Sequence, residues 1–170
     1  MSMNPMREIR LAKVTVNMGA GAESATKLEK CRKIMQTVTK KKIVVTSTHK
    51  RSTFGVAKGK PIGVMTTMRG AEAMEFLKKV LQALENRLKS SQFDTNGNFS
   101  FGIHEYINIP GIKYDPDVGI MGMDVAVTLE RPGYRVRKRM LRPRKVGKSH
   151  LIKKEEAIEW ARKHLGVNVE

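Results

Sequence analysis

Lysine and arginine are the residues whose number and spacing could do chemistry in this sequence, and that chemistry is phosphate binding. From Lys30 to Ala71 there is no Asp or Glu, while Lys30, Arg32, Lys33, Lys40, Lys41, Lys42, Lys50, Arg51, Lys58, Lys60 and Arg69 are present. A second acid-free stretch, Arg131 to Lys154, holds Arg131, Arg135, Arg137, Lys138, Arg139, Arg142, Arg144, Lys145, Lys148, Lys153 and Lys154. Together the two stretches contain 22 of the 33 basic residues, against 16 acids in all and a formal charge of +17. A solvated surface interleaves both signs, so acid-free blocks fit contact with a polyanion better. Arginine leads in the second block, and its planar fork suits bidentate phosphate binding. Phosphate contacts are therefore expected from Arg135, Arg137, Lys138, Arg139, Arg142, Arg144, Lys145 and Lys148. The run Arg135 to Lys145 lacks the apolar spacing of a self-supporting helix and reads as an arm that orders against RNA.

Other chemistries fit the sequence poorly. Gly19-Ala20-Gly21 between a strand and a helix imitates a dinucleotide-binding turn, and an NADP-binding enzyme is the alternative it raises. The third glycine is absent, and Lys40-Lys41-Lys42 stands where an acidic ribose ligand belongs. His49, His104, His150 and His164 are isolated from one another and from any carboxylate cluster, and surface or RNA contact is expected of each. Asp115 and Asp117 flank Pro116 and are expected to make turn hydrogen bonds, not to hold a metal. Cys31 is the single cysteine. It excludes an intramolecular disulfide and a multi-cysteine zinc site, and it falls on an apolar helical stripe, so a core role is expected. No catalytic residue, cofactor or metal is expected. A membrane-surface role would need a basic amphipathic helix with apolar anchors, which the basic blocks lack. No run approaches the roughly 20 apolar residues of a membrane span. Met1 to Arg10 includes Pro5 and Glu8 and no apolar run, so no signal peptide is expected and a cytoplasmic location is.

The elements that must position these cations follow from periodicity. At 170 residues and 40% apolar, the chain can build one domain with a real core. Leu11 to Met18 alternates, with Ala12, Val14, Val16 and Met18 on one side and Lys13, Thr15 and Asn17 on the other: a half-buried strand. A helix follows from about Ser24, with Leu28, Cys31, Ile34, Met35 and Val38 on one stripe. Ile43 to Thr46 is a short β-branched strand. Ser47 to Lys60 is a long hairpin arm or loop, and Pro61 to Arg69 is a strand with Gly63, Met65, Thr67 and Arg69 on one side. A second helix is expected over Ala71 to Lys89, then strands over Asn98 to Ile103 and Met123 to Glu130. After the arm, Lys153 to Leu165 is helical with Gly166 as its stop, and Trp160 anchors it on the domain.

This order is a split β-α-β, ferredoxin-like α+β arrangement: an antiparallel-rich sheet of about five strands, with helices packed on one face. Residues 1–134 form the RNA-binding domain. Residues 135–170 form a basic arm and a C-terminal helix packing on or near it. If each helix crosses between parallel strands, both lie on one face and the other is bare. That bare face carries Lys13, Thr15 and Asn17 from the first strand and Thr67 and Arg69 from the third. Amides, hydroxyls and cations on an open sheet suit RNA read by hydrogen bonds and shape, without the paired aromatics of a stacking sheet.

Val16-Asn17-Met18-Gly19, Pro61-Ile62-Gly63, Met68-Arg69-Gly70, Glu75-Phe76-Leu77, Phe93-Asp94, Gly97 to Glu105, Tyr114-Asp115-Pro116, Gly119 to Val125 and Arg131 to Arg135 resemble the family of large-ribosomal-subunit protein number five. The ending Arg131-Pro132-Gly133-Tyr134-Arg135-Val136 with its basic arm is similar to the archaeal and eukaryotic branch. The likeness spans nearly the whole chain in order and spacing. It implies a structural protein, a monomer within the ribosome, that binds 5S ribosomal RNA and anchors it in the central protuberance. By position, Asn17, Phe54, Thr67 and Arg69 match residues of the family's 5S RNA surface. The resemblance also implies that a loop of about Thr53 to Lys60, with Phe54, Lys58 and Lys60, approaches transfer RNA in the peptidyl site. It implies as well a further surface that bridges to a protein of the small-subunit head, and the basic arm is expected to reach large-subunit RNA. Family members often carry Gly-Gln before the second strand; here Lys40-Lys41-Lys42 implies a phosphate contact, from Lys41, in place of an amide hydrogen bond.

Overall fold

The computed structural model describes residues 4–21, 25–51, 53 and 55–170. Its organising element is β1, Arg10–Gly19, where Val14, Val16 and Met18 are almost wholly buried and alternate with more accessible neighbours. Period-two alternation puts one set on the core and the other on the opposite surface. Four further strands join it: β2, Val44–Ser47, β3, Pro61–Met68, β5, Phe99–Ile103, and β6, Met123–Glu130. Their order across the sheet is β2-β3-β1-β6-β5, and every neighbouring pair is antiparallel. The expected five-strand α+β sheet is what forms.

Helix α1, Ala25–Thr39, buries Cys31, Ile34 and Met35, while α2, Gly70–Gln82, buries Ala73, Phe76, Leu77, Val80 and Leu81. All of these join one cluster with Val14, Val16, Val64 and Val125 of the sheet. Both helices therefore sit on the same face, as expected, though only one does so by the expected route. Two antiparallel steps make β1 and β2 parallel with β3 between them, so α1 is the crossover of a split β-α-β unit. Helix α2 leads from β3 to β5, which three antiparallel steps set in opposite directions. Its amphipathic stripe, not crossover handedness, brings it to that face.

The expected helix over Ala71 to Lys89 ends early. Glu85 and Asn86 adopt positive φ values of 53° and 55°, and the Asn86 N–H donates to the Leu81 carbonyl at 2.9 Å. A left-handed pair cannot continue a right-handed helix, and asparagine tolerates that conformation better than most residues. The apolar spacing continued past the break because Leu88 is buried by other means. It lies in β4, Arg87–Leu88, a parallel two-residue partner of β7, Asn168–Val169, which periodicity did not reveal.

The C-terminal region packs into the same core. Helix α4, Lys154–Leu165, buries Ala157, Trp160, Ala161 and Leu165, and Gly166 stops it at φ 66°. Trp160 anchors the helix as expected: its indole N–H donates to the Ile9 carbonyl at 3.0 Å. Ahead of the helix, Ile152 lies against Gly97, which turns the chain at φ 78°. A Cβ on Gly97 would overlap the Ile152 side chain, and the positive φ would strain it besides. Gly97→Ala is expected to lower stability by about 2 kcal/mol, read from the midpoint of urea unfolding. An unchanged midpoint would mean that Ile152 moves aside at no cost.

Candidate nucleic-acid interface

The face of the sheet opposite the helices is open. Its rows follow from the register. Asn17 lies between Met65 and Asp124, with Val44 beyond Met65 and Gly102 beyond Asp124. Thr15 lies between Thr67 and Ala126, with Ser100 beyond. Lys13 sits opposite Thr128, just past a bulge in β1. The sheet thus brings Lys13, Thr15, Asn17 and Thr67 together on one surface. Arg69 follows one residue beyond the Val14–Met68 pair, exposed and extended, at the same end as Lys13.

Two properties make this surface a platform. Around Met65 and Val44 many of its positions are small: Gly19, Gly63, Gly102, Ser100 and Ala126 leave the backbone close to any ligand laid on it. At Gly63 a Cβ would come within 2.7 Å of the Met18 carbonyl oxygen, so the flatness there is built into strand packing. The second property is polarity sorted along the strands, with cations at the Lys13–Arg69 end. At the other end a hollow of about 270 Å³ lies over Gly19, Gly102 and Gly122, edged by Asn17, His104 and Asp124. An amide, an imidazole and a carboxylate around a glycine floor can donate to and accept from a base or sugar edge. His104 meets the surface or RNA contact expected of it by lying on this edge, while Asp124 was not singled out from sequence, because only the β1–β6 register sets it beside Asn17.

The basic arm meets the cationic end. After β6 the chain forms a four-residue helix, α3, Arg135–Lys138, and then runs irregularly with its cations exposed. It is tied back where the Arg144 N–H donates to the Val136 carbonyl at 3.1 Å and the Arg139 Nε to the Arg142 carbonyl at 3.0 Å. Arg137 and Lys138 share a cleft with Lys13 and Thr128 of the sheet. Lys138 is ion-paired with Glu130. Arg142, Lys145 and Lys148 are exposed.

Several basic residues have internal work instead. Lys41 Nζ lies 2.5 Å from a Glu72 carboxylate oxygen, an exposed pair of small net value that a phosphate can replace. Arg131, which heads the second block, is buried and binds three carbonyls and Glu156. Burial alone would raise the Glu156 carboxyl, but the Lys153 N–H and the Arg131 guanidinium hold it below its ordinary value. His150 contacts the Pro132 carbonyl at 2.9 Å and packs edge-on against Tyr134, and His164 stacks on Trp160. For His150, structural contact replaces the expected surface role, whereas His164 stays exposed on the surface while it stacks.

In the β2–β3 loop, Thr48 closes the base through Lys60 and Gly59, and Thr53, Lys58 and Lys60 are exposed. Phe54 and the expected helix start at Ser24 lie outside the described residues. Cys31 is fully buried, which pushes its thiol pKa up. The Asp115 carboxylate accepts the Asp117 N–H at 3.1 Å, the expected turn bond. Gly19-Ala20-Gly21 follows a strand, but both neighbours of β1 are antiparallel to it. The crevice at the ends of parallel strands that a dinucleotide needs does not form there.

Comparison with known sequences agrees with this geometry. The profile described as ribosomal protein L5 matches residues 4–56, and that of the ribosomal L5P family C-terminus matches residues 61–160. The chain belongs to the ribosomal protein L5 family. The large ribosomal subunit protein uL5 of Sulfurisphaera tokodaii is 48% identical over 170 residues, covering 99% of this chain and 96% of its own length. That of Methanosphaera stadtmanae is 45% identical over 169 residues, covering 99% and 100%. That of Sulfolobus acidocaldarius is 50% identical over 167 residues, covering 98% and 93%. The chain is accordingly a ribosomal structural protein of archaeal type and not an enzyme.

Proposed function

We propose that the chain, as a constituent of the large ribosomal subunit, binds 5S ribosomal RNA on its open sheet face and anchors it in the central protuberance. The observation that carries this reading is the convergence of Lys13, Thr15, Asn17 and Thr67 on one uncovered surface beside Arg69. Hydrogen-bonding groups near Asn17 specify, and the cations at the other end and in the arm position the RNA through its phosphates. The arm reaches large-subunit RNA. The Thr53 to Lys60 loop, at the far end of the β2–β3 hairpin, approaches transfer RNA in the peptidyl site, and another surface meets a protein of the small-subunit head.

The test is direct binding of the purified protein to 5S RNA, with transfer RNA and duplex RNA as competitors, across a salt series. Preference for 5S RNA that persists as salt rises supports the reading. Equal, steeply salt-sensitive binding to all three favours a generic basic RNA-binding module, the second reading that the uneven charge supports. Asn17→Ala and Thr67→Ala are each expected to reduce the preference about fivefold, the worth of one hydrogen bond, with little change in binding to the competitors. An Asn17→Ala protein with its preference intact would put the recognition surface elsewhere.

A further inference from the structure

Between the arm and the body of the protein lies a second concavity, of about 530 Å³. Its floor is apolar, made by Pro143, Val146 and Leu151, and Asn96 stands at its edge. Four cations, Arg137, Arg144, Lys145 and Lys148, surround it, and among the described residues no carboxylate lines it. The walls rest on fixed parts of the fold. Ile152, next to Leu151, packs on Gly97, next to Asn96, and the Ile152 N–H donates to the Tyr134 hydroxyl at 3.0 Å. The Arg144–Val136 backbone bond closes the arm over the site. Arg137 and Asn96 line both this concavity and the cleft that begins at Lys13, so the two form one path leading off the sheet face.

A phosphate alone would use the cations and waste the apolar floor. A duplex has no group that enters such a hollow. An unpaired nucleotide has a flat apolar face for the floor and for arginine stacking, polar edges for Asn96, and a phosphate for the rim. We propose that the arm concavity receives one unpaired nucleotide of the RNA that lies on the sheet face. The base packs against Val146 and Leu151, and the phosphate lies on Arg144 and Lys145. This rests on the RNA-binding reading and extends it, making the arm a reader of RNA shape as well as a source of charge.

The test does not need the natural RNA. The full chain is titrated with each of the four nucleoside 5′-monophosphates, and separately with inorganic phosphate and ribose 5-phosphate, while backbone and methyl NMR signals are followed. Expected are shifts at Asn96, Val146 and Leu151 that depend on the base and are absent with the two base-free anions. Val146→Trp, which fills the hollow at unchanged charge, is expected to remove those shifts and weaken binding to 5S RNA about tenfold, leaving the salt slope unchanged. Identical shifts with all anions, or none at these residues, would overturn the proposal on the parent protein alone, however the variant folds. A protein that prefers 5S RNA yet shows no base-dependent shifts loses this pocket and keeps the sheet-face reading.

Discussion

Arg131→Ala is expected to lower the stability of the folded protein by about 3 kcal/mol, although arginine in an acid-free block reads as a nucleic-acid contact. The side chain is only 6% exposed. Its Nε donates to the Arg7 carbonyl at 3.1 Å, one terminal nitrogen to the His150 and Leu151 carbonyls at 3.3 Å each, and the other to Glu156 at 2.8 Å. One planar group thus ties the N-terminal segment, the end of β6, the return of the arm and the start of α4. Removing it leaves several backbone acceptors without donors at the point where the C-terminal region docks. Arg131→Lys should recover little, since a single ammonium cannot span these acceptors. Urea unfolding measures the effect, and a loss below about 1 kcal/mol would mean that water replaces the guanidinium without strain.

The same cluster sets a pH dependence. The Glu156 carboxyl is held below its ordinary value of about 4.5 in the folded protein, so it binds protons less readily folded than unfolded. A depressed carboxylate contributes stability that is present above the unfolded value and lost as pH falls through the folded one. The protein should therefore lose stability on acidification below about pH 4.5. Glu156→Gln should flatten part of that decline while lowering stability at neutral pH. Urea midpoints of the two proteins between neutral and acid pH decide it. Parallel curves would show that other carboxylates govern the acid limb.

The largest expected effect is on RNA affinity. If about 6 to 10 phosphates are neutralised, the association constant for 5S RNA should fall by roughly 10³ to 10⁵ between 50 and 200 mM salt. Arg142→Ala with Arg144→Ala removes two exposed arm cations. That double variant should reduce the slope of log affinity against log salt by about 1.4 to 1.8, and weaken binding to 5S RNA, transfer RNA and duplex RNA alike. Filter binding or anisotropy across the salt series gives both quantities. An unchanged slope would remove the arm from the phosphate contacts and confine affinity to the sheet face.

By itself the sequence determined the periodic elements and the electrostatics. Alternation in Leu11 to Met18 and Met123 to Glu130 is a property of neighbouring residues, as is the stripe of α2 or the glycine that stops α4, so these could be read locally. The bare face could be read too, because alternation that buries Val14 and Val16 must present Lys13, Thr15 and Asn17 elsewhere. Charge blocks need no structure to be seen, and the family resemblance was carried by residue order alone.

Only the tertiary structure decided what depends on pairing between distant segments. The β1–β6 register brings Asp124 beside Asn17, and β4 finds its partner at β7, where Arg87 pairs with Asn168, 81 residues further along the chain. Neither pairing leaves a local trace. Two short segments of two residues each have too little periodicity to announce a strand. The end of α2 shows the converse: Leu84 and Leu88 keep helical spacing while Glu85 and Asn86 break the helix, because spacing records burial and not the path that achieves it. Arg131 makes the same point for charge. Its chemistry is that of its neighbours in the sequence, but acceptors from Arg7, His150, Leu151 and Glu156 surround it in space, and a buried guanidinium serves the fold where an exposed one would serve RNA.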